Sequence, residues 1–243
     1  MLVFPAIDLL GDKAVRLEQG RRETATVYSH EPWKLAEAFA AAGAPRLHVV
    51  DLDAALSGGR ENNHSTIAKI VGAASLEVEV GGGVRSLADC ERLFALGARY
   101  VVTGTAAIKT PELVEQMCGR FPRRMVVAVD ARGGKVATEG WQEDSTLDAL
   151  DVGLAVARAG AGAVLYTDIG RDGMRTGPDL EATERLAQRL SPCPVIASGG
   201  VGRLEDLDAV RATGAFAVII GKAIYEKVFT VEQAIRRAFP PSS

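Results

Sequence analysis

The sequence predicts an α/β fold of one particular kind, a (β/α)8 barrel built from two duplicated half-barrels. Three observations carry that expectation. Short apolar runs alternate with helical stretches, proline and glycine punctuate those stretches at opposite ends, and the chain repeats itself at an offset of 117 residues.

Eight apolar runs lie at residues 2–7, 46–51, 76–80, 100–103, 125–129, 163–167, 194–197 and 216–220, each four to six residues long. They are mostly apolar on both faces, as parallel strands are when helices cover the sheet. Helical stretches at 32–42, 87–96, 147–159 and 204–212 fall between them. Pro32, Pro111 and Pro178 stand where a first helical turn begins, a place that needs no N–H donor. Gly43, Gly97, Gly160 and Gly214 stand where helices end, as C-terminal caps. Eight strands with crossover helices make either a closed barrel or a doubly wound sheet.

The repeat decides between the two. Gly82-Gly83-Val84 recurs as Gly199-Gly200-Val201 at the offset of 117. At the same offset Asp51 falls on Asp168, Asp89 on Asp206, Gly97-Ala98 on Gly214-Ala215 and Gly104 on Gly221. The first strand pairs at an offset of 122, with Asp8, Gly11 and Lys13 on Asp130, Gly133 and Lys135. A short indel absorbs the difference. Two four-βα units, about 1–120 and 121–239, close naturally into one barrel. The period is too long for a solenoid. No Pro-, Ser- or charge-rich linker divides the halves, so a single domain is expected.

Composition excludes several roles. The chain has 243 residues, 47% of them hydrophobic, and a net charge of −3, with no basic cluster to receive nucleic acid. Three scattered cysteines, Cys90, Cys118 and Cys193, fit a reducing compartment better than a disulfide framework. The start lacks the basic residues and apolar run of a signal peptide, and no stretch is long enough to span a membrane. A cytoplasmic monomer acting on a small molecule is expected, with no membrane and no nucleic-acid partner.

In a barrel, function sits where strands end and βα loops begin. The third strand runs into Gly81-Gly82-Gly83 and the seventh into Ser198-Gly199-Gly200. The fourth ends in Thr103-Gly104-Thr105 and the eighth in Gly221-Lys222, while Gly177 lies in the loop after the sixth. Glycines there let the backbone approach an anion closely. Loops after strands seven and eight form the usual barrel phosphate site, and the repeat supplies a second copy. Two cradles across one mouth imply a ligand with a phosphate at each end. Glycines that only make tight turns are the plainer alternative.

Acids end other strands. Asp8 and Asp130 form one symmetric pair, Asp51 and Asp168 another, and Asp172 lies in the loop Gly170-Arg171-Asp172-Gly173. A single acid could merely cap its loop. Neighbouring carboxylates in a shielded cleft separate into one base and one acid. That suits proton abstraction beside a carbonyl or imine, coupled to protonation elsewhere. His30, His48 and His64 show no zinc-ligand spacing, so neither metal nor cofactor is expected, and His48 reads as packed within a strand. Lys222 reads as an anion ligand rather than a Schiff-base lysine.

These residues together resemble a family. Pro5-Ala6-Ile7-Asp8, Val15-Arg16-Leu17, His48-Val49-Val50-Asp51-Leu52, Gly81-Gly82-Gly83-Val84-Arg85, Gly140-Trp141, Thr167-Asp168-Ile169 with Arg171-Asp172-Gly173, and Ser198-Gly199-Gly200 are similar to those of the ProFAR isomerases of histidine biosynthesis. The likeness runs over about residues 1–238. It implies an Amadori rearrangement of an aminoaldose to an aminoketose, without metal. Asp8 would be the general base, Asp130 or Asp172 the acid, and Thr167 a positioning or polarising group. Arg16 and Trp141 would sit on mobile loops over the substrate. The cyclase of the same pathway is disfavoured because its first strand ends Cys-Leu-Asp and a lysine follows, where this chain has Ala6-Ile7-Asp8 and Arg16. The relative that also isomerises phosphoribosylanthranilate carries an arginine two residues before the loop tryptophan, where this chain has Glu139. One main activity is therefore expected. A non-enzymatic phosphometabolite-binding barrel is the remaining alternative.

Overall fold

In chain order the strands are β1 (Leu2–Leu10), β2 (Lys13–Glu18), β3 (Arg21–Ser29), β4 (Arg46–Asp51), β5 (Glu77–Gly81), β6 (Tyr100–Thr103), β7 (Met125–Arg132), β8 (Lys135–Thr138), β9 (Glu143–Asp148), β10 (Ala163–Asp168), β11 (Val195–Ser198) and β12 (Ala217–Ile220). The helices are α1 (Pro32–Ala41), α2 (Leu52–Ser57), α3 (His64–Ala73), α4 (Leu87–Ala95), α5 (Pro111–Arg120), α6 (Ala149–Arg158), α7 (Leu180–Leu190), α8 (Glu205–Ala212), α9 (Lys222–Tyr225) and α10 (Val231–Ala238). The structure, a computed structural model, describes residues 1–18, 21–73, 75–104, 109–138 and 143–239.

Eight strands close on themselves. β1 pairs in parallel with β4 and with β12, and the ring runs β1-β4-β5-β6-β7-β10-β11-β12. This is the barrel that the repeat predicts, and every expected strand is present within a residue or so at its start. Alternation then sorts side chains into two cores. Phe4, Ala6, Val102, Val126, Leu165, Ile196 and Ile219 fill the interior. Ile7, Leu9, Val49, Val80, Val127 and Val129 point the other way and pack beneath the helices.

The interior is less apolar than the runs suggested. Glu79 is fully buried, and its carboxylate accepts from Arg46 Nη1 at 3.3 Å and contacts His48 Nδ1 at 2.7 Å. Arg46 also lies 3.7 Å from the Tyr100 ring centroid and 4.8 Å from that of Phe4. A buried carboxylate persists only when paired in this way.

Both half-barrels open on the same device. β1 turns through Gly11-Asp12 into antiparallel β2, and β7 turns through Gly133-Gly134 into antiparallel β8. The central residues of both turns have positive φ (56° and 61°, 55° and 79°), as two-residue hairpins require. The offset of 122 at the first strand is the repeat of this hairpin. The turn of the first hairpin is tied down: Asp53 Oδ2 accepts from the Gly11 N–H at 2.6 Å, and Asn63 Oδ1 from the Asp12 N–H at 2.7 Å.

The expected caps recur with one exception. Pro32 and Pro111 start α1 and α5, and Gly43, Gly97, Gly160 and Gly214 directly follow C-caps. Pro178, expected in a first turn, precedes the helix instead. Asp179 is the N-cap of α7, accepting from the Ala182 N–H at 3.2 Å, so the helix starts at Leu180. Among the described residues no helix is long and apolar enough to cross a membrane.

Candidate active site

The carboxyl ends of the barrel strands enclose a cavity of about 300 Å³. Asp8, Arg16, Gly82, Gly83, Gly104, Asp130, Thr167, Asp172, Ser198, Gly199, Gly200, Gly221 and Lys222 all line it. Strand register explains much of this convergence. Thr167 lies beside Asp130 of β7 on one side and Ser198 of β11 on the other. Asp8 and Asp130 continue the inward-facing series of Phe4-Ala6 and Val126-Ala128, so the barrel parity turns both into the mouth.

Asp51 and Asp168 have the opposite parity, and for them the capping role holds. Asp51 accepts from the Ala54 N–H at 3.0 Å, heading α2, and from Asn63 through its N–H and Nδ2 at 2.8 and 2.7 Å. Asp168 accepts from the Gly170 N–H at 2.9 Å and Arg171 Nε at 3.1 Å. Arg171 also donates to the Gly177 carbonyl at 3.1 Å, clasping both ends of the loop that carries Asp172.

Arg16 is placed differently from the expected mobile loop. It stands in β2, opposite Thr26 of β3, and reaches inward. Its Nη1 donates to Asp8 Oδ2 at 2.7 Å and its Nη2 to the Ala6 carbonyl at 3.0 Å. The guanidinium lies across Gly221, where a Cβ would collide with it. Tyr225 supports it from below, with its ring centroid 5.1 Å away and its hydroxyl donating to the same Ala6 carbonyl at 2.8 Å. Burial opposes the charge of Arg16, but Asp8, Tyr225 and Asp172 hold its pKa above the usual value.

Asp172 is electrostatically distinct. Burial pushes its pKa up to about 6; Arg16 pulls it down, and the negative charges of Asp8 and Asp130 push it up again. The mouth thus holds one carboxylate bound to a guanidinium and another biased toward its acid form.

The glycines answer demands of backbone and packing. Gly82 and Gly199 have φ of +101° and +91°, and a Cβ on either would strike the backbone oxygen of Asp51 or Asp168, respectively. Gly83 and Gly200 crowd the carbonyls of Ala54 and Gly177 in the same way. Tight packing between adjacent loops is therefore a reason for glycine at these positions, independent of any ligand. Gly177 does not line the cavity; it braces Gly200, to whose carbonyl its N–H donates at 3.0 Å. Thr105 and Trp141 lie outside the described residues.

His48, Arg85 and Arg175 also line the cavity, and the sequence reading had not assigned them to it. For His48 the missed signal was parity, since it lies two residues before inward-facing Val50. Arg85 sits inside the glycine motif. Arg175 carries no motif, and only its partner in the repeat singles it out.

Comparison with known proteins adds a chemical identity. Residues 2–230 match the family model described as histidine biosynthesis protein. A protein of Anaeromyxobacter sp. (strain Fw109-5) is 51% identical over 98% of this chain and 99% of its own length. One of Sorangium cellulosum (strain So ce56) is 50% identical over the same shares, 98% and 99%. One of Desulfitobacterium hafniense (strain Y51) is 46% identical over 97% of this chain and 96% of its own. All three are named as isomerases of an imidazole-4-carboxamide that bears two phosphoribosyl groups.

Proposed function

The chain belongs to the histidine biosynthesis protein family, and on that premise we propose that it is the aldose–ketose isomerase that converts ProFAR to its aminoketose, with Asp8 as general base and Asp172 as general acid. The observation that carries the assignment is the contrast between these two carboxyls in one cavity. A substrate with two phosphoribosyl groups suits a mouth flanked by two duplicated glycine cradles.

Asp172 gives its proton to the ribose ring oxygen as the bond from C1′ to that oxygen breaks, and the nitrogen lone pair forms the C1′ imine. Asp8 takes the C2′ proton, and the electrons left behind make the enolamine. Protonation of C1′ and loss of the C2′ hydroxyl proton complete the ketose, with no net change in atoms or electrons. Asp130 supplies negative charge that favours the protonated form of Asp172, and Thr167, between Asp130 and Ser198, positions the reacting ribose.

Incubation with ProFAR, followed spectroscopically and by mass, tests the reading, because isomerisation conserves mass. Asp8→Asn and Asp172→Asn each lower kcat/KM about a hundred- to ten-thousand-fold. Full activity in Asp8→Asn removes the base, and full activity in Asp172→Asn returns the acid to Asp130. Turnover of phosphoribosylanthranilate is expected to be weak or absent.

A further inference from the structure

The repeat places Gly58 on Arg175 and Arg85 on Gly202, both at the offset of 117. These two pairs are exchanged between the half-barrels. In the first half the seat before the cradle is glycine and the seat after it is arginine; in the second half the order is reversed.

The backbone agrees at both seats. Gly58 has φ +71°, and Arg175 keeps the left-handed conformation at φ +54° although it carries a side chain. The N–H of Arg85 donates to Asp89 Oδ2 at 3.1 Å, and the N–H of Gly202 donates to the mate of that aspartate, Asp206 Oδ2, at 2.8 Å. The two seats of each half lie against each other. A Cβ on Gly58 would come within 2.7 Å of Arg85 Nη1, and a Cβ on Gly202 within 2.7 Å of both the Cβ and the carbonyl oxygen of Arg175. Each cradle therefore carries one arginine, from the seat after it in the first half and from the seat before it in the second. Both arginines line the cavity.

A non-glycine residue held at positive φ stores strain, which persists where the side chain has a task. Arg175 Nη1 lies 2.7 Å from Glu226 Oε2, and Lys222 Nζ lies 3.8 Å from Glu226 Oε1. Glu226 thus holds two cations beside Gly199-Gly200 and Gly221.

We infer that Arg175 is a phosphate-binding residue of the second cradle, the counterpart of Arg85 in the first, and contributes with Lys222 to affinity for the phosphoribosyl end bound there. This rests on the two-phosphate reading above. A guanidinium presents paired donors to phosphate oxygens, and Glu226 keeps it aimed while the cradle is empty.

Three proteins test it: the natural chain, Arg175→Gly and Arg175→Lys. Loss of a charged hydrogen bond predicts a KM for ProFAR raised about 10- to 100-fold in Arg175→Gly, with a smaller rise in Arg175→Lys. Competition by inorganic phosphate, read by calorimetry, weakens in Arg175→Gly in parallel. The glycine suits the backbone, so a purely structural role would leave both affinities in place. If the natural chain turns over ProFAR while Arg175→Gly keeps its KM and phosphate affinity within twofold, the assignment of Arg175 is overturned. If the natural chain does not turn over ProFAR, the isomerase reading fails, and phosphate affinity alone decides the role of Arg175.

Discussion

Arg16 holds Asp8 by a 2.7 Å ion pair, with both side chains largely buried, at 14% and 16% exposure. The other arm of the guanidinium is fixed on Ala6, in the same strand as Asp8, so the pair is braced against β1. Among the described residues, Arg16 Nε is buried without a hydrogen-bond partner, so the guanidinium is held through its two other nitrogens. Arg16→Ala is expected to lower kcat/KM about 10- to 100-fold, the worth of a charged hydrogen bond. Arg16→Lys recovers only part, because an ammonium cannot hold Asp8 and Ala6 with one planar fork. Steady-state kinetics on the two variants checks this; equal rates in the natural chain and Arg16→Ala would separate the arginine from the base.

The pH dependence follows from Asp172. Its carboxyl titrates near 6, above its ordinary 3.8. In its proposed role as general acid it must be protonated, so kcat/KM is expected to fall along an alkaline limb with an apparent pKa near 6. Asp172→Asn abolishes that limb.

Linkage gives the same group a second signature. A carboxyl whose pKa rises on folding contributes its stability below the unfolded value and loses it as pH rises through the folded value. Asp172 therefore favours the folded state below about pH 4 and opposes it above about pH 6. Asp172→Asn is expected to stabilise the protein by about 1–3 kcal/mol at pH 7 and by much less at pH 4. Urea denaturation at the two pH values measures the difference. Such a gain in a variant of lowered activity is what a carboxyl held against its preference for function produces.

Gly82→Ala and Gly199→Ala test the packing demand on the cradles. Each combines a left-handed backbone with a collision against the preceding strand end. Losses of about 2–4 kcal/mol are expected at both sites. Gly104→Ala is the contrast: its nearest obstacle is 3.5 Å away, on the Ala128 Cβ, so stability changes little while anion access narrows. Thermal melts with and without phosphate separate the two effects.

Glu79→Leu is expected to cost about 3–5 kcal/mol, because it leaves Arg46 only the half-exposed Glu77, at 3.1 Å, and frees His48 inside the barrel. Adding Arg46→Met restores much of the loss by removing the charge left without its buried partner. If the double variant is as unstable as the single one, the pair is not the source of the cost.

The sequence by itself determined the barrel, its duplication, the two glycine cradles and the acids at the strand ends. These are legible because periodicity, caps and repeats are local or translational features of the chain. Only the tertiary structure decided which acids face the cavity. Asp8 and Asp51 look alike in sequence, yet strand parity turns one into the mouth and the other into a cap for α2. It also decided that Arg16 belongs to a hairpin strand and meets Asp8, since that contact depends on how β2 folds back on β1. The exchange of Gly58 and Arg85 for Arg175 and Gly202 is written in the repeat, but only the fold shows that both arginines reach one cavity.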